Sequence, residues 1–276
     1  MKKIFLFICA LWITVGSFGQ EADSVGSAGN DSVRIGSHTE FSAKNMENIT
    51  KAEGDSAYVR NDFASAIQIY EAILKEGEAA DIYYNLGNSY YKADNIAKAI
   101  LNYERALLLQ PGNVDYRTNL EVARSKTIDK IEAVPEIFFI TWTKSLINSM
   151  SVNAWAICGI VCFLLLIVSI YLFVFSKQIV WKKVGFIAGI LFLVFVILSN
   201  VFAAEQKDRL LNRKKAIIVS PSVTIRSTPS EGGTSLFVLH EGSNVELKDT
   251  SMKEWKEIRL DDGKVGWLPS SSIEII

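Results

Sequence analysis

Six side chains, Asp81, Tyr84, Asn85, Asn88, Tyr91 and Lys92, recur at i, i+3, i+4, i+7, i+10 and i+11, the spacing of one helical face. Asn119 repeats the place of Asn85 34 residues later. A carboxamide donates and accepts hydrogen bonds at once, so Asn85 and Asn88 are suited to gripping a peptide backbone. A merely solvated polar face has the same spacing, and that alternative stays open. Trp255 and Trp267 are the other candidates, either lining a groove or filling a core. No set of residues points to catalysis. A nucleophile needs a neighbouring base, yet Cys9, Cys158 and Cys162 all lie in apolar runs and His38 is far from His240. His240, beside Glu241-Gly242, reads as a solvated turn residue. Without cysteines in water-facing segments there is no disulfide framework and no Cys-ligated zinc site. No phosphate loop or dinucleotide glycine pattern occurs. The expectation is a binding protein with no cofactor, no metal and no enzymatic activity. With 29 Lys and Arg against 30 Asp and Glu, the chain has no overall basic field, so nucleic acid is not an expected partner.

The elements that must position the stripe are helical and repeat over residues 46–126. Tyr83-x2-Leu86-Gly87-x2-Tyr90, then Ala99-x3-Tyr103, Ala106 and Pro111, resemble the tetratricopeptide signature. Gly87 and Ala99 are small so that two helices can approach, and Tyr103 fills the space between them. Gly54, Ala66 and Tyr70 stand 33 residues before Gly87, Ala99 and Tyr103, and Asn61-Asp62 parallels Asp94-Asn95. The expected array is two helix pairs and a closing helix from Val114 to about Lys126, with the stripe facing its concave groove.

Residues 1–19 read as a secretory signal: Lys2 and Lys3, the apolar run Ile4 to Val15, then Ser17-Phe18-Gly19 before a start at Gln20. An uncleaved anchor is the alternative. Residues 20–45, rich in Ser, Gly, Asn, Asp and Glu without apolar period, read as a disordered tether. Within the juxtamembrane segment 127–153, Ile137 to Met150 is apolar and aromatic, with Phe138, Trp142, Leu146 and Met150 at i+4 spacing. It reads as a helix on the membrane surface or, equally, as one packed on the repeats. Spans are expected at 154–176 and 184–204, two charge-free stretches of the length a hydrocarbon core requires. Gly185-x3-Gly189 could let helices approach closely. The short loop between the spans carries Lys177, Lys182 and Lys183, which places it inside and both flanking domains in the periplasm. The basic run Lys207 to Lys215 disagrees with that orientation.

Residues 216–276 change to short apolar-alternating runs punctuated by Gly232-Gly233, His240-Glu241-Gly242 and Asp261-Asp262-Gly263. Val223-x-Ile225-Arg226-Ser227-x-Pro229, Trp255 and Gly266-Trp267-Leu268-Pro269 resemble a bacterial SH3-like domain, a small β-barrel. The fold class is therefore multidomain: α-α tetratricopeptide repeats, two transmembrane helices and a C-terminal SH3-like barrel.

In this order the parts resemble BatE of the bacterial aerotolerance (Bat) operon. Tyr83 to Asn88, Ala97 to Leu107, Asp129-Lys130-Ile131-Glu132 and Leu236 to Gly242 carry the likeness. The resemblance implies an inner-membrane component acting with other Bat-operon membrane proteins, several with von Willebrand A-type domains. The SH3-like part could instead hold cell-wall peptidoglycan, and the competing function is an accessory subunit of a cell-envelope enzyme.

Overall fold

Two helix pairs and a fifth helix form the repeat array of the computed structural model. They are α1 (Lys51–Val59) with α2 (Phe63–Glu76), α3 (Ala80–Lys92) with α4 (Ile96–Leu109), and α5 (Val114–Ser125). The structure describes residues 50–131, 134–135 and 137–276; the expected signal and tether lie outside them. Four of the five helices start at a residue able to satisfy orphan amides, and α3, which follows Ala79, does not. Thr50 forms a capping box with Glu53, the Asp62 side chain accepts from Ser65 N, Asn95 from Lys98 N, and Asn113 from Asp115 N and Tyr116 N.

The faint first repeat has the geometry of the clear second one. Asn61 and Asp94 close the two pairs at φ 61° and 60°, a left-handed conformation that Asn and Asp tolerate better than most residues. A Cβ on Gly54 would lie 2.5 Å from the Tyr70 ring, and one on Gly87 2.7 Å from the Tyr103 ring. Ala66 and Ala99 are fully buried opposite them.

Helix α6 (Phe138–Ile147) leads into α7 (Val152–Phe175) and α8 (Ile179–Leu211). The last two are long and apolar enough to cross a membrane. They pack as an antiparallel hairpin. The tightest contact is at Gly185, where a Cβ would stand 2.8 Å from Phe173 N and Ser169 O; Gly189 has ordinary spacing, 3.8 Å from Ser169. Gly185, not the Gly185/Gly189 pair, sets the approach. Gly185→Leu should therefore splay the hairpin and lower its thermal midpoint in detergent, whereas Gly189→Ala should leave it within a degree or two. At 1.5 Å per residue α8 is about 50 Å long, about 20 Å more than a hydrocarbon core.

Residues 215–275 form a seven-stranded antiparallel sheet. Its strands are β1 (Lys215–Ile218), β2 (Ser222–Arg226), β3 (Ser235–His240), β4 (Asn244–Asp249), β5 (Trp255–Arg259), β6 (Val265–Pro269) and β7 (Ile273–Ile275), in the order β3-β2-β6-β5-β4-β1-β7. The expected closed barrel is corrected here: β3 and β7 are edges that do not pair, so the sheet is open. The weakest seam is β2–β6, one residue pair at Arg226 and Trp267. There Gly266 is buried against Ile225 and the Arg226 carbonyl, which lets the strands cross closely. Gly263, at φ 90°, closes the β5–β6 hairpin that Asp262-Gly263 announces.

Strand β1 is absent from the sequence reading and proves decisive. Ala216, Ile217 and Ile218 are all fully buried. Ala216 and Ile218 face the core of the sheet, with Ile225, Ile258 and Leu268. Ile217 points the other way and joins Ile276 in the cluster built by Ala99, Ile100 and Leu101 of α4. Repeats and sheet thus share a core. Its rim is polar: Lys98 pairs with Glu274, Arg105 Nη2 donates to Ile275 O at 2.6 Å, and Arg213 Nη1 donates to Glu78 Oε1 at 2.8 Å. The linker after α5 completes the clamp, with Ile131 packed on the sheet core and Val134 N donating to Asp261 O at 3.0 Å.

Candidate functional site: the groove of the repeats

Part of the stripe on α3, Asn88, Tyr91 and Lys92, lines a concavity, and most of the stripe's members are already engaged. Asn85 Nδ2 donates to Asp55 Oδ1 at 2.9 Å, which also accepts from Tyr70 OH at 2.6 Å. One repeat later the pattern recurs: Asn119 Nδ2 donates to Asn88 Oδ1 at 2.9 Å, which also accepts from Tyr103 OH at 2.8 Å. Asp55 and Asn88 are therefore equivalent acceptors. Each ties a buried phenol and the next repeat's carboxamide into a ladder running across the array. Burial, before any other cause, pushes the Tyr70 and Tyr103 hydroxyls well above the usual tyrosine range, so both stay protonated donors.

The remaining members are also placed. Tyr84 stacks on Tyr116, with ring centroids 4.6 Å apart, and accepts from Asn119 Nδ2 at 2.9 Å. Asp81 pairs with Lys51 at 2.7 Å. Burial opposes the charge on Asp81, but the Lys51 ammonium outweighs it and holds the carboxyl below its ordinary value. Tyr91 carries the Lys126 ammonium 4.2 Å above its ring. Lys92 is exposed. Asn88, Tyr91, Lys92 and Asn119 come together around a concavity of about 170 Å³, with Tyr58, Tyr103 and Val122 as its other walls. Asp81, Tyr84 and Asn85 do not line it.

These bonds change what a substitution should do. Asn88→Ala strips a buried phenol of its acceptor, so it should cost about 1–3 kcal/mol of stability, where a free surface amide would cost almost nothing. Asn85→Ala should cost about 1 kcal/mol. Urea titration of the two variants checks the order.

Residues 80–113 match the Tetratricopeptide repeat family model. The chain contains a tetratricopeptide repeat. No curated protein matches the chain. The match covers α3, the turn and α4, which carry most of the groove. Repeats of this kind are protein-interaction elements, so a role in binding protein partners follows.

The sheet places its two tryptophans together. Trp255 opposes Pro269 and Trp267 opposes Glu257 across β5 and β6. The register puts all four on one face, and Ile258 and Leu268 on the other, in the core. Both indoles are half-buried and neither belongs to the sheet core. Trp267→Ala should therefore cost about 1 kcal/mol, half the value for burying a whole large side chain, and leave the sheet folded. Chemical denaturation checks this.

Asp129 and His240, from two stretches that carry the family resemblance, are brought together with the adjoining Ser243. Asp129 accepts from His240 N at 2.6 Å and Ser243 Oγ at 2.7 Å, and its other oxygen meets His240 Nδ1 at 2.9 Å. His240 is thus a clamp residue and not the solvated turn residue expected. The three residue types are those of a catalytic triad, but the wiring is different. Ser243 donates to the carboxylate and not to the imidazole, so this set holds no nucleophile–base pair. Among the described residues no group of His, Cys, Asp and Glu could hold a metal ion.

Burial raises Asp129, but the bonds from His240 and Ser243 outweigh it and hold its carboxyl below the ordinary value. A lowered folded-state pKa contributes stability above the unfolded value, about 3.9, and loses it as pH falls through the folded value. Asp129→Asn should thus lower the urea midpoint at pH 7, and its gap to wild type should close toward pH 3. A gap that is constant with pH would contradict the clamp.

Proposed function

We propose that the chain is a membrane-anchored scaffold that holds a partner's segment in the tetratricopeptide groove and presents the sheet's tryptophan face to a second partner. The hairpin α7–α8 is its anchor. The observation that carries the reading is the groove itself: the ladder fixes its floor, while Asn88 Nδ2, Asn119 Oδ1, Lys92 and exposed Val122 remain to meet a ligand. An extended segment offering backbone amides and an acidic side chain fits that lining. The resemblance to BatE supports a Bat-type aerotolerance complex, with partners among other Bat-operon membrane proteins. The Lys-bearing tip of the hairpin and the expected signal support a position in the inner membrane with repeats and sheet in the periplasm. The resemblance of Val223 to Pro229 and of Gly266 to Pro269 supports an SH3-like reading of these strands, in an open sheet and not a closed barrel.

The outward indole pair also favours a second reading, an accessory subunit of a cell-envelope enzyme, because aromatic faces stack on sugars as well as on peptides. Retention of the protein on purified peptidoglycan, abolished by Trp255→Ala with Trp267→Ala, would select it.

The groove is tested by a photoreactive phenylalanine placed at Tyr91 in cells, with exposed Gln68 on α2 as the control. Discrete adducts with a membrane protein are expected from position 91 alone, and their loss with Lys92→Glu or Val122→Glu, which leave the ladder intact. Adducts from both positions, or none from 91, would refute the assignment.

A further inference from the structure

We infer that α6 is an interfacial helix whose partner is the lipid surface itself, and that it fixes the height at which the repeats and sheet sit on the membrane. This rests on α7 and α8 being membrane spans.

The helix leaves its largest apolar groups uncovered. Phe138 is 74% exposed, Phe139 73% and Trp142 56%, and Ile137 just before it is 69% exposed. That exposure decides against the helix packed on the repeats. Phe138, Trp142 and Leu146, at i, i+4 and i+8, share a face with Phe139, while Lys144 lies opposite and Thr141 lies at the edge of that opposite side. Exposed aromatic rings on one side of the helix and a lysine on the other are what the headgroup boundary selects.

The occupant is identified by continuity with the spans. The turn Asn148–Ser151 joins α6 directly to α7 and is latched to the far end of α8. Trp155 Nε1 donates to Ile147 O at 3.1 Å, Gln206 Nε2 to Met150 O at 2.6 Å, and Arg209 Nη1 to Asn148 Oδ1 at 3.2 Å. Ile147, Trp155 and Phe202 close a small core beneath these bonds. Gln206 and Arg209 are the first polar anchors beyond the apolar part of α8, so the latch marks the membrane boundary and α6 leaves from it. On its other side the same turn touches the repeats: a Cβ on Gly112 would lie 2.5 Å from Ser149 O. The α4–α5 turn is thereby seated on the membrane boundary, and a partner reaching the groove must carry a membrane-proximal segment.

The test uses the full chain with its cysteines replaced by serine, reconstituted in nanodiscs of phosphatidylethanolamine and phosphatidylglycerol. Single spin labels are placed through Phe138→Cys, Trp142→Cys, Thr141→Cys, Lys144→Cys and, on the outer face of α7, Leu164→Cys. Labels at 138 and 142 should be several-fold more accessible to oxygen than to a water-soluble nickel chelate, with the order reversed at 141 and 144. Nickel access at all four positions, with 164 still favouring oxygen, would overturn the lipid assignment while leaving the spans. Nickel access at 164 would overturn the membrane reading and this inference with it. Low access to both reagents at 138 and 142 would mean that protein covers the face, and would also overturn it.

Discussion

Gly87→Leu should abolish the cooperative unfolding of the repeats, at a cost above about 3 kcal/mol. A Cβ at this position meets two Tyr103 ring carbons at 2.7 Å and the Ala99 carbonyl at 3.3 Å. The ring cannot swing away, because it is 2% exposed and its hydroxyl is bonded to Asn88. Overpacking of this kind forces backbone shifts, and leucine adds three further carbons. Gly87→Ala supplies the sharper sign test. Helix propensity alone predicts a gain of about 1 kcal/mol for Gly→Ala in a helix interior; the close approach predicts a loss of about 1–3 kcal/mol. Circular dichroism during urea titration reads the sign, and a stabilised alanine variant would refute the packing of α3 on α4.

Ile217→Asp should cost about 3–5 kcal/mol, the penalty of an uncompensated charge in an apolar interior. It should also change the form of the transition. Ile217 serves the α4 side of β1, while Ala216 and Ile218 serve the sheet side. The variant should therefore uncouple the two halves, with repeats and sheet melting in separate steps where the wild type melts in one. Segment 216–276 alone would expose Ile217 and Ile276 and lack Ile131, so it should be less stable than its own strand pattern suggests. Fluorine resonances of 5-fluorotryptophan at Trp255 and Trp267, resolved from those of the other four tryptophans, report the sheet, and far-ultraviolet dichroism the helices. Coincident transitions in Ile217→Asp would contradict the shared core.

Much of this architecture is legible in the residues. The 33-residue offset between Gly54 and Gly87, and between Tyr70 and Tyr103, reports both helix pairs, because close packing admits few residue types at those points. Asp262-Gly263 marks its hairpin because the turn demands positive φ. The docking of repeats on sheet is not legible in the same way. It joins Asp129 to His240 across 111 residues and Lys98 to Glu274 across 176, and no local period encodes such a pair. Its one local trace is the run Ala216-Ile217-Ile218, which does not alternate because β1 is buried on both faces. The groove shows the same limit. Spacing identifies the face that Asn85, Asn88 and Asn119 share, but not that Asp55, Tyr70 and Tyr103 already occupy part of their hydrogen-bonding capacity. The closure of the sheet also lay beyond the pattern, since strand count does not fix which edges meet.

With α7 and α8 as the proposed membrane spans, a single core shared by α4 and β1 requires repeats and sheet to lie on the same side of the membrane. The most direct test labels single cysteines in intact spheroplasts with a membrane-impermeant maleimide, in a background with the native cysteines replaced. Gln68→Cys in the repeats and Gly232→Cys in the sheet should both react from outside, and Lys182→Cys at the hairpin tip only after permeabilisation. Reaction at Gln68→Cys with protection at Gly232→Cys would place the two domains on opposite sides, and the docked scaffold would be wrong.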